Sequence, residues 1–214
     1  MSRKTAAGRS WSDFVPPALA ILLSLIPGLM LWEKLPAEIA VHFSISGVPD
    51  SYSSKSFVVF VMPLIALGLE AAAAAAAAGM VGRGIRSYQR TILWLVPCVW
   101  LSVSVLILAY ALGFRPDIRL WAQLIAAAAI ILVGNMAPKG VVWKRPGRWY
   151  EQLGTADRRK ILRFTGYCRV LGGAAMCLCA VAGLSKVYFV LLALTSVLPT
   201  VFAVRCWLLT RRAV

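Results

Sequence analysis

The sequence predicts an all-α membrane protein: a bundle of six transmembrane helices with a short extracytoplasmic strand and turn and a cytoplasmic interfacial helix. Hydrophobic residues make up 60% of the 214 residues, charged residues only 14%, and the mean hydropathy is +0.78. Soluble domains are about half apolar and about a quarter charged. Stretches long enough to cross a hydrocarbon layer of about 30 Å recur along the chain. They occupy residues 15–31, 57–80, 91–114, 118–136, 167–184 and 187–209.

The basic residues alternate between the connections. Eighteen of the 23 Lys and Arg lie in the N-terminus, the second and fourth connections and the C-terminus, and five lie in the remaining connections. The positive-inside rule then places both termini in the cytoplasm. The net charge of +15 therefore reports topology, with anionic lipid binding as a secondary effect, and does not indicate specific nucleic-acid binding.

This topology divides the chain into four parts. Residues 1–14 form a cytoplasmic N-terminus, and residues 15–136 hold the first four spans, with an extracytoplasmic loop at 32–56. Residues 137–166 form a basic cytoplasmic loop, and residues 167–214 hold the last two spans and a cytoplasmic tail. The first span has a basic leader but lacks a convincing cleavage site before Trp32, which predicts an uncleaved signal anchor.

The extracytoplasmic loop carries a strand pattern. Large apolar residues alternate with smaller or polar ones over 39–46, a period of two that predicts a short strand with one face against the membrane surface or the bundle. Gly47, Pro49 and Asp50 then supply turn chemistry. His42 is the single histidine of the chain, and we expect its ring to hydrogen-bond to the turn, through Asp50, rather than to bind a metal.

The second span holds a carboxylate and an alanine run. An ionised Glu70 inside a span costs at least a few kcal/mol unless it is paired, protonated or hydrated. It could carry protons or pair with Gln123 or Asn135; equally, it could be a neutral acid bonded within the bundle or lie near the inner edge. Residues 71–78 are all alanine, and we expect neighbouring helices to cover this weakly hydrophobic segment.

The cytoplasmic loop mixes aromatic and basic residues, which suits the headgroup layer. Thr155 can cap a helix with Asp157 in its first turn, so the sequence predicts an interfacial helix leading into the fifth span. The loop could bind a cytoplasmic regulator or only lipid. Its predicted basic surface comprises Lys144, Arg145, Arg148, Arg158, Arg159 and Lys160.

The sequence carries few of the residues that catalysis or metal binding requires. Neither a nucleophile with its base nor a phosphate-cradling loop occurs. The five cysteines lie within or at the edges of spans, where they suit packing. We therefore expect a protein that is not an enzyme, with neither a cofactor nor a metal.

The extracytoplasmic loop resembles the signature of the SdpI-type bacterial immunity family. The signature has the form L-P, I-x-x-H-F and then G-x-P-D-x-Y-x-S-K, and a Gly134-Asn135 pair agrees with the family's second half. The residues that match the signature are Leu35, Pro36, Ile39, His42, Phe43, Gly47, Pro49, Asp50, Tyr52, Ser54 and Lys55.

This resemblance implies a receptor in the bacterial cell membrane that protects its producer from a secreted peptide toxin and signals to a cytoplasmic partner. The residues expected to recognise the ligand are Leu35, Pro36, His42, Phe43, Gly47, Pro49, Asp50, Tyr52 and Lys55. Two alternatives remain open. One is a small transporter or lipid-handling protein that uses Glu70, Gln123 and Asn135, and the other is a membrane scaffold for a cytoplasmic partner.

Overall fold

The computed structural model describes residues 13–81, 85–139, 142–143 and 151–212. Five helices in these ranges are long and apolar enough to cross a membrane, and the segment Val15–Met30 is a shorter apolar helix. The five are Phe57–Ala78, Arg86–Ala111, Ile118–Lys139, Thr155–Val181 and Ser185–Arg211. The predicted all-α, multi-pass membrane bundle is therefore confirmed. Lys144, Arg145 and Arg148 lie outside the described residues.

The elements follow one another in a simple order. The helices are α1 Val15–Leu23, α2 Leu25–Met30, α3 Met62–Ala78, α4 Ile85–Ala111, α5 Ile118–Met136, α6 Thr155–Val181 and α7 Ser185–Arg212. Strands β1 Glu38–Phe43 and β2 Pro49–Ser54 form an antiparallel hairpin between α2 and α3. A π-helical turn, Phe57–Val61, opens the second span, and β3 Met80–Val81 pairs with β4 Val142–Trp143.

The first predicted span differs from the others because it breaks at Ser24. The Ser24 hydroxyl donates to the Ile21 carbonyl oxygen at 2.6 Å and accepts from the indole N–H of Trp100 at 2.8 Å. These bonds satisfy polar groups at the junction of α1 and α2. At 1.5 Å per residue, Val15–Met30 covers only about 24 Å. The six predicted spans are thus present as five long helices and one short, interrupted helix, and the first is the shortest, as its sequence predicts.

Counting Val15–Met30 as one interrupted helix, successive helices run in opposite directions, so the bundle has two distinct ends. The hairpin end holds the β1–β2 hairpin, the start of α5 and the α6–α7 connection; the other is termed the distal end. The most extensive contacts join α5 to α6 and α6 to α7, while α3 packs on α4 and α1 packs on both. Contacts between sequential helices dominate among the described elements, including α5 and α6, which residues 137–154 connect.

Small residues let α5 and α6 approach closely. A Cβ added at Gly134 would lie 2.5 Å from the Cβ of Arg169, and one added at Gly173 would lie 2.6 Å from Cγ1 of Ile131. Close backbone approach through small residues is a main source of helix association in lipid. Gly134 therefore serves a packing role at this interface.

The outward faces of the long helices are apolar, as expected for contact with lipid. Leu171, Leu178 and Val181 on α6 are each about two-thirds exposed or more. The alanine run of α3 is covered on one face only, with Ala74 and Ala77 buried and Ala71 and Ala75 exposed. Neighbouring helices therefore cover one face of this segment, and α1 and α4 are the helices that contact α3.

The predicted interfacial helix forms the first turns of α6 and is not a separate element. Thr155 is the first helical residue rather than the cap; the cap position belongs to Gly154. Ile161 is buried in one cluster with Leu153 and Ala203 of α7. These turns therefore pack against α7 and continue without a break into the span.

Candidate recognition site at the hairpin end

The hairpin turns through a three-residue loop between Ser44 and Val48. The Ser44 amide donates to the Val48 carbonyl and the Gly47 amide donates to the Ser44 carbonyl, each at 2.8 Å. Gly47 has a φ of +80°, a conformation that favours glycine, and closes the loop as a type I turn with a bulge would. The predicted strand and turn are therefore present, and Gly47 has a structural reason to be there.

The second strand was not predicted from the sequence. Pro49 and Asp50 were assigned to the turn, yet Pro49–Ser54 pair with β1 from Glu38↔Ser54 to Phe43↔Pro49. The pairing is irregular between Ala40 and His42 and between His42 and Phe43. Ile39 and Ala40 precede these irregularities and are both buried, so both faces of β1 are covered at this point.

The base of the hairpin is docked on the bundle by apolar contacts. Leu35 and Ile39 are 4% and 1% exposed and belong to one buried cluster. Its other members come from the π-helical turn and from the end of α4, and they are Val58, Val59, Ile107 and Leu108. Leu35, predicted to recognise a ligand, therefore anchors the hairpin.

Lys55 also serves the fold. Its ammonium lies 4.6 Å from the ring centroid of Trp32 and donates to the Trp32 carbonyl oxygen at 3.4 Å. The Trp32 ring in turn lies 5.7 Å from the Phe60 ring. A cation over an aromatic face contributes about 0.5–1 kcal/mol when exposed and more when desolvated. Sequence reasoning missed Trp32, whose only signal was its position at the start of the loop.

The predicted hydrogen bond between His42 and Asp50 is present. Nδ1 of His42 lies 2.5 Å from Oδ1 of Asp50, and both side chains are exposed. Because an exposed pair of this kind contributes about 0–1 kcal/mol to stability, it chiefly orients two polar groups toward solvent. Among the described residues, three metal-ligating side chains nowhere come together.

The outer surface of the hairpin presents apolar and aromatic side chains. Tyr52 is 55% exposed, and Ile45 and Val48 in the loop are more exposed still. Pro36 is exposed and Pro49 is half-buried. Exposed apolar groups held on a braced element are typical of binding surfaces. We call Ile45, Val48, Tyr52 and the His42–Asp50 pair the hairpin surface.

Phe43 connects the hairpin to the end of α4. Its ring makes an edge contact with Tyr110 at 5.0 Å, and the Arg115 guanidinium lies 4.5 Å from the centroid of the same Tyr110 ring. Phe43 is half-buried. It therefore contacts the bundle and leaves only part of its ring available.

The three polar residues predicted inside the membrane occupy different places. Glu70 is 0% exposed and lies about 4 Å past the midpoint of the helix Phe57–Ala78. The Gln123 amide donates to the Ser185 hydroxyl at 3.2 Å, near the hairpin end. Asn135 is exposed, and twelve helical positions separate it from Gln123, about 18 Å along α5. The three side chains are therefore not placed in a single site.

The described part of the predicted basic surface is partly committed to internal bonds. Arg158 donates to the carbonyl oxygens of Leu153 and Glu151 at 2.9 and 2.8 Å. Lys160 lies 3.4 Å from Asp157, whereas Arg159 is exposed. Arg158 thus fixes the segment that enters α6, and Arg159 faces solvent at the distal end.

One segment of the chain is similar to a known protein family. No curated protein and no solved structure matches the chain. Residues 19–67 match the family model described as a domain of unknown function, DUF1648. That segment runs from α1 through the hairpin into α3. The braced hairpin and the helices that lead into and out of it are therefore the part of this multi-pass membrane protein that matches DUF1648.

Proposed function

We propose that this protein recognises an extracytoplasmic ligand, such as a peptide toxin, through the hairpin surface and protects the cell that makes it. The observation that carries the proposal is a hairpin anchored at its base by Leu35 and Ile39 while Tyr52 and its loop stay exposed. The likeness of the same segment to the SdpI-type signature supports the same conclusion. In this proposal, a cytoplasmic partner receives the signal at the distal end.

The base of the hairpin provides the route for such a signal. Ile39 packs against Val58 and Val59, which belong to the π-helical turn that opens the second span. π-Helical turns are rare and occur often at functional sites. A ligand that shifts the hairpin would therefore act first on the start of α3, the helix that carries Glu70.

Replacing Tyr52 with alanine is expected to lower protection at least about tenfold, because exposed aromatic groups on a rigid element supply much of the binding energy at an interface. The assay uses cells in which the gene for this chain has been deleted and replaced by a variant. Growth is measured in serial dilutions of cell-free spent medium from the wild-type cells.

Ser51→Ala is the matched control, since Ser51 is the exposed neighbour of Tyr52 on the same strand. Both variants must reach the membrane in equal amounts, measured by immunoblot. If deletion cells grow as well as wild-type cells in undiluted spent medium, the immunity role is wrong. If Tyr52→Ala protects as well as Ser51→Ala, recognition does not use this face.

Glu70 supports a second candidate function, proton-coupled transport. Its side chain is fully buried near the middle of a span, on the α3 face shared with Ala66, Ala74 and Ala77. A carboxylate at such a depth is a functional hypothesis by default. Gln123 is bonded to Ser185 instead, so this candidate depends on Glu70 without the other two polar residues.

Glu70→Gln is expected to abolish proton uptake by proteoliposomes that contain the purified chain, because an amide cannot exchange a proton as a carboxyl group does. Uptake is driven by a potassium gradient with valinomycin and followed with an internal pH dye. Glu33→Gln, which changes an exposed carboxylate at the hairpin end, is the control. Equal uptake by Glu70→Gln and the wild type would eliminate this candidate.

A further inference from the structure

An apolar groove runs beneath the hairpin, between α4 and α5. It has a volume of about 360 Å³ and every side chain that lines it is aliphatic or aromatic. Val41 and Phe43 of β1 form its roof at the hairpin end. Its lining residues Ala122 and Ala126 are exposed, so in a membrane the groove is open to the surrounding hydrocarbon.

The length of the groove corresponds to one leaflet. Its lining residues on α5 extend from Ile118 to Ala129, which is about 16 Å along a helix axis. Half of a hydrocarbon layer of about 30 Å is about 15 Å. Small residues of α5, including Ala122 and Ala126, keep the groove open over this length. A single acyl chain from the leaflet at the hairpin end would fill it.

The mouth of the groove carries positive charge. Arg115 and Arg119 flank the start of α5, and a Cβ built at Gly47 of the hairpin loop would lie 3.5 Å from the Cβ of Arg119. Asp117 is 3.7 Å from Arg119 but already accepts the Leu120 amide as the helix cap. The mouth therefore has a net charge of one positive unit from these three residues.

We propose that this groove binds one acyl chain of an anionic phospholipid, with its phosphate at Arg115 and Arg119. The apolar lining matches the chain, the depth matches one leaflet, and the cations at the mouth match the phosphate. The bound lipid would lie under Phe43 and support the hairpin loop from below. This site is independent of ligand recognition by the hairpin surface.

The test uses purified, delipidated full-length protein in detergent and palmitoyl-oleoyl phosphatidylglycerol as the probe. Native mass spectrometry measures how much lipid stays bound, in comparison with phosphatidylcholine that has the same chains. The wild type should retain one phosphatidylglycerol and bind phosphatidylcholine at least about fivefold more weakly, the factor that corresponds to about 1 kcal/mol for one cation at an anionic headgroup.

Ala126→Phe should abolish retention of the lipid, because the new ring would occupy the place of the acyl chain in the groove. Ala128→Phe is its matched control, since Ala128 is exposed on α5 and does not line the groove. Ala122→Leu, a smaller addition in the same groove, should give an intermediate loss. Arg119→Gln should weaken binding about fivefold, whereas Lys186→Gln, which removes an exposed cation elsewhere at this end, should leave it unchanged.

Several results would overturn the proposal. Equal retention by Ala126→Phe and Ala128→Phe, both with the elution volume of the wild type, would place the lipid elsewhere. Equal binding of the two headgroups would remove the role of the arginines and indicate unspecific lipid contact only. Unchanged lipid retention with lost protection in Ala126→Phe would assign the groove to the peptide ligand instead.

Discussion

Replacing Gly134 with alanine should lower the melting temperature of the purified protein by roughly 2–12 °C, which corresponds to about 1–3 kcal/mol of overpacking in a chain of this size. The new Cβ would meet the Cβ of Arg169 at 2.5 Å and the amide nitrogen of Val170 at 3.1 Å. Neither atom is the flexible end of a side chain. The α5 and α6 backbones must therefore separate, and their contacts along the interface weaken together.

Gly68→Ala is the control, because a Cβ at Gly68 would have nothing within 4 Å. Gly68 lies inside α3, where alanine is favoured over glycine by about 1 kcal/mol, so this variant should be neutral or slightly stabilised. Thermal unfolding in detergent, followed by tryptophan fluorescence, compares the two. A Gly134→Ala protein as stable as Gly68→Ala would mean that α5 and α6 do not pack this closely.

The spans were predictable because their signal is local. Each long apolar helix inserts through its own side chains, and its length can be counted in the sequence. The break at Ser24 was not predictable in the same way, since the serine needs Trp100 from α4 as a partner. Helix α6 was predicted in two parts because Thr155 and Asp157 indicated a separate interfacial helix before the span, whereas Ile161 packs into the bundle.

The position of the candidate site was predicted from the sequence. Which of its residues anchor the hairpin and which stay exposed was not. The alternating residues and Gly47 indicated a strand and turn, and His42 and Asp50 were close enough in sequence to pair. Strand β2 was missed because Pro49–Ser54 is polar and gains its order from backbone bonds to β1. The contact of Lys55 with Trp32 crosses 23 positions, which no local pattern indicates.

Ile39→Ala should release the hairpin from the bundle. Ile39 is 1% exposed at the centre of the contact with Val58 and Val59, and truncating a buried isoleucine costs about 2–5 kcal/mol because a cavity remains. The loss concerns one local contact area, so the hairpin should detach before the helices unfold. Limited trypsin digestion measures this as faster cleavage after Lys55, whose side chain the docked hairpin holds on Trp32.

Ile45→Ala is the comparison variant for Ile39→Ala, because it truncates an exposed residue of the same hairpin. Ile45 is 71% exposed in the loop, so its truncation should leave cleavage after Lys55 unchanged and lower protection against spent medium. Ile39→Ala should change both measurements, since an undocked hairpin can neither present its surface nor act on α3. If Ile39→Ala speeds cleavage but protects fully, ligand recognition does not require the docked hairpin, and the route through the π-helical turn is wrong.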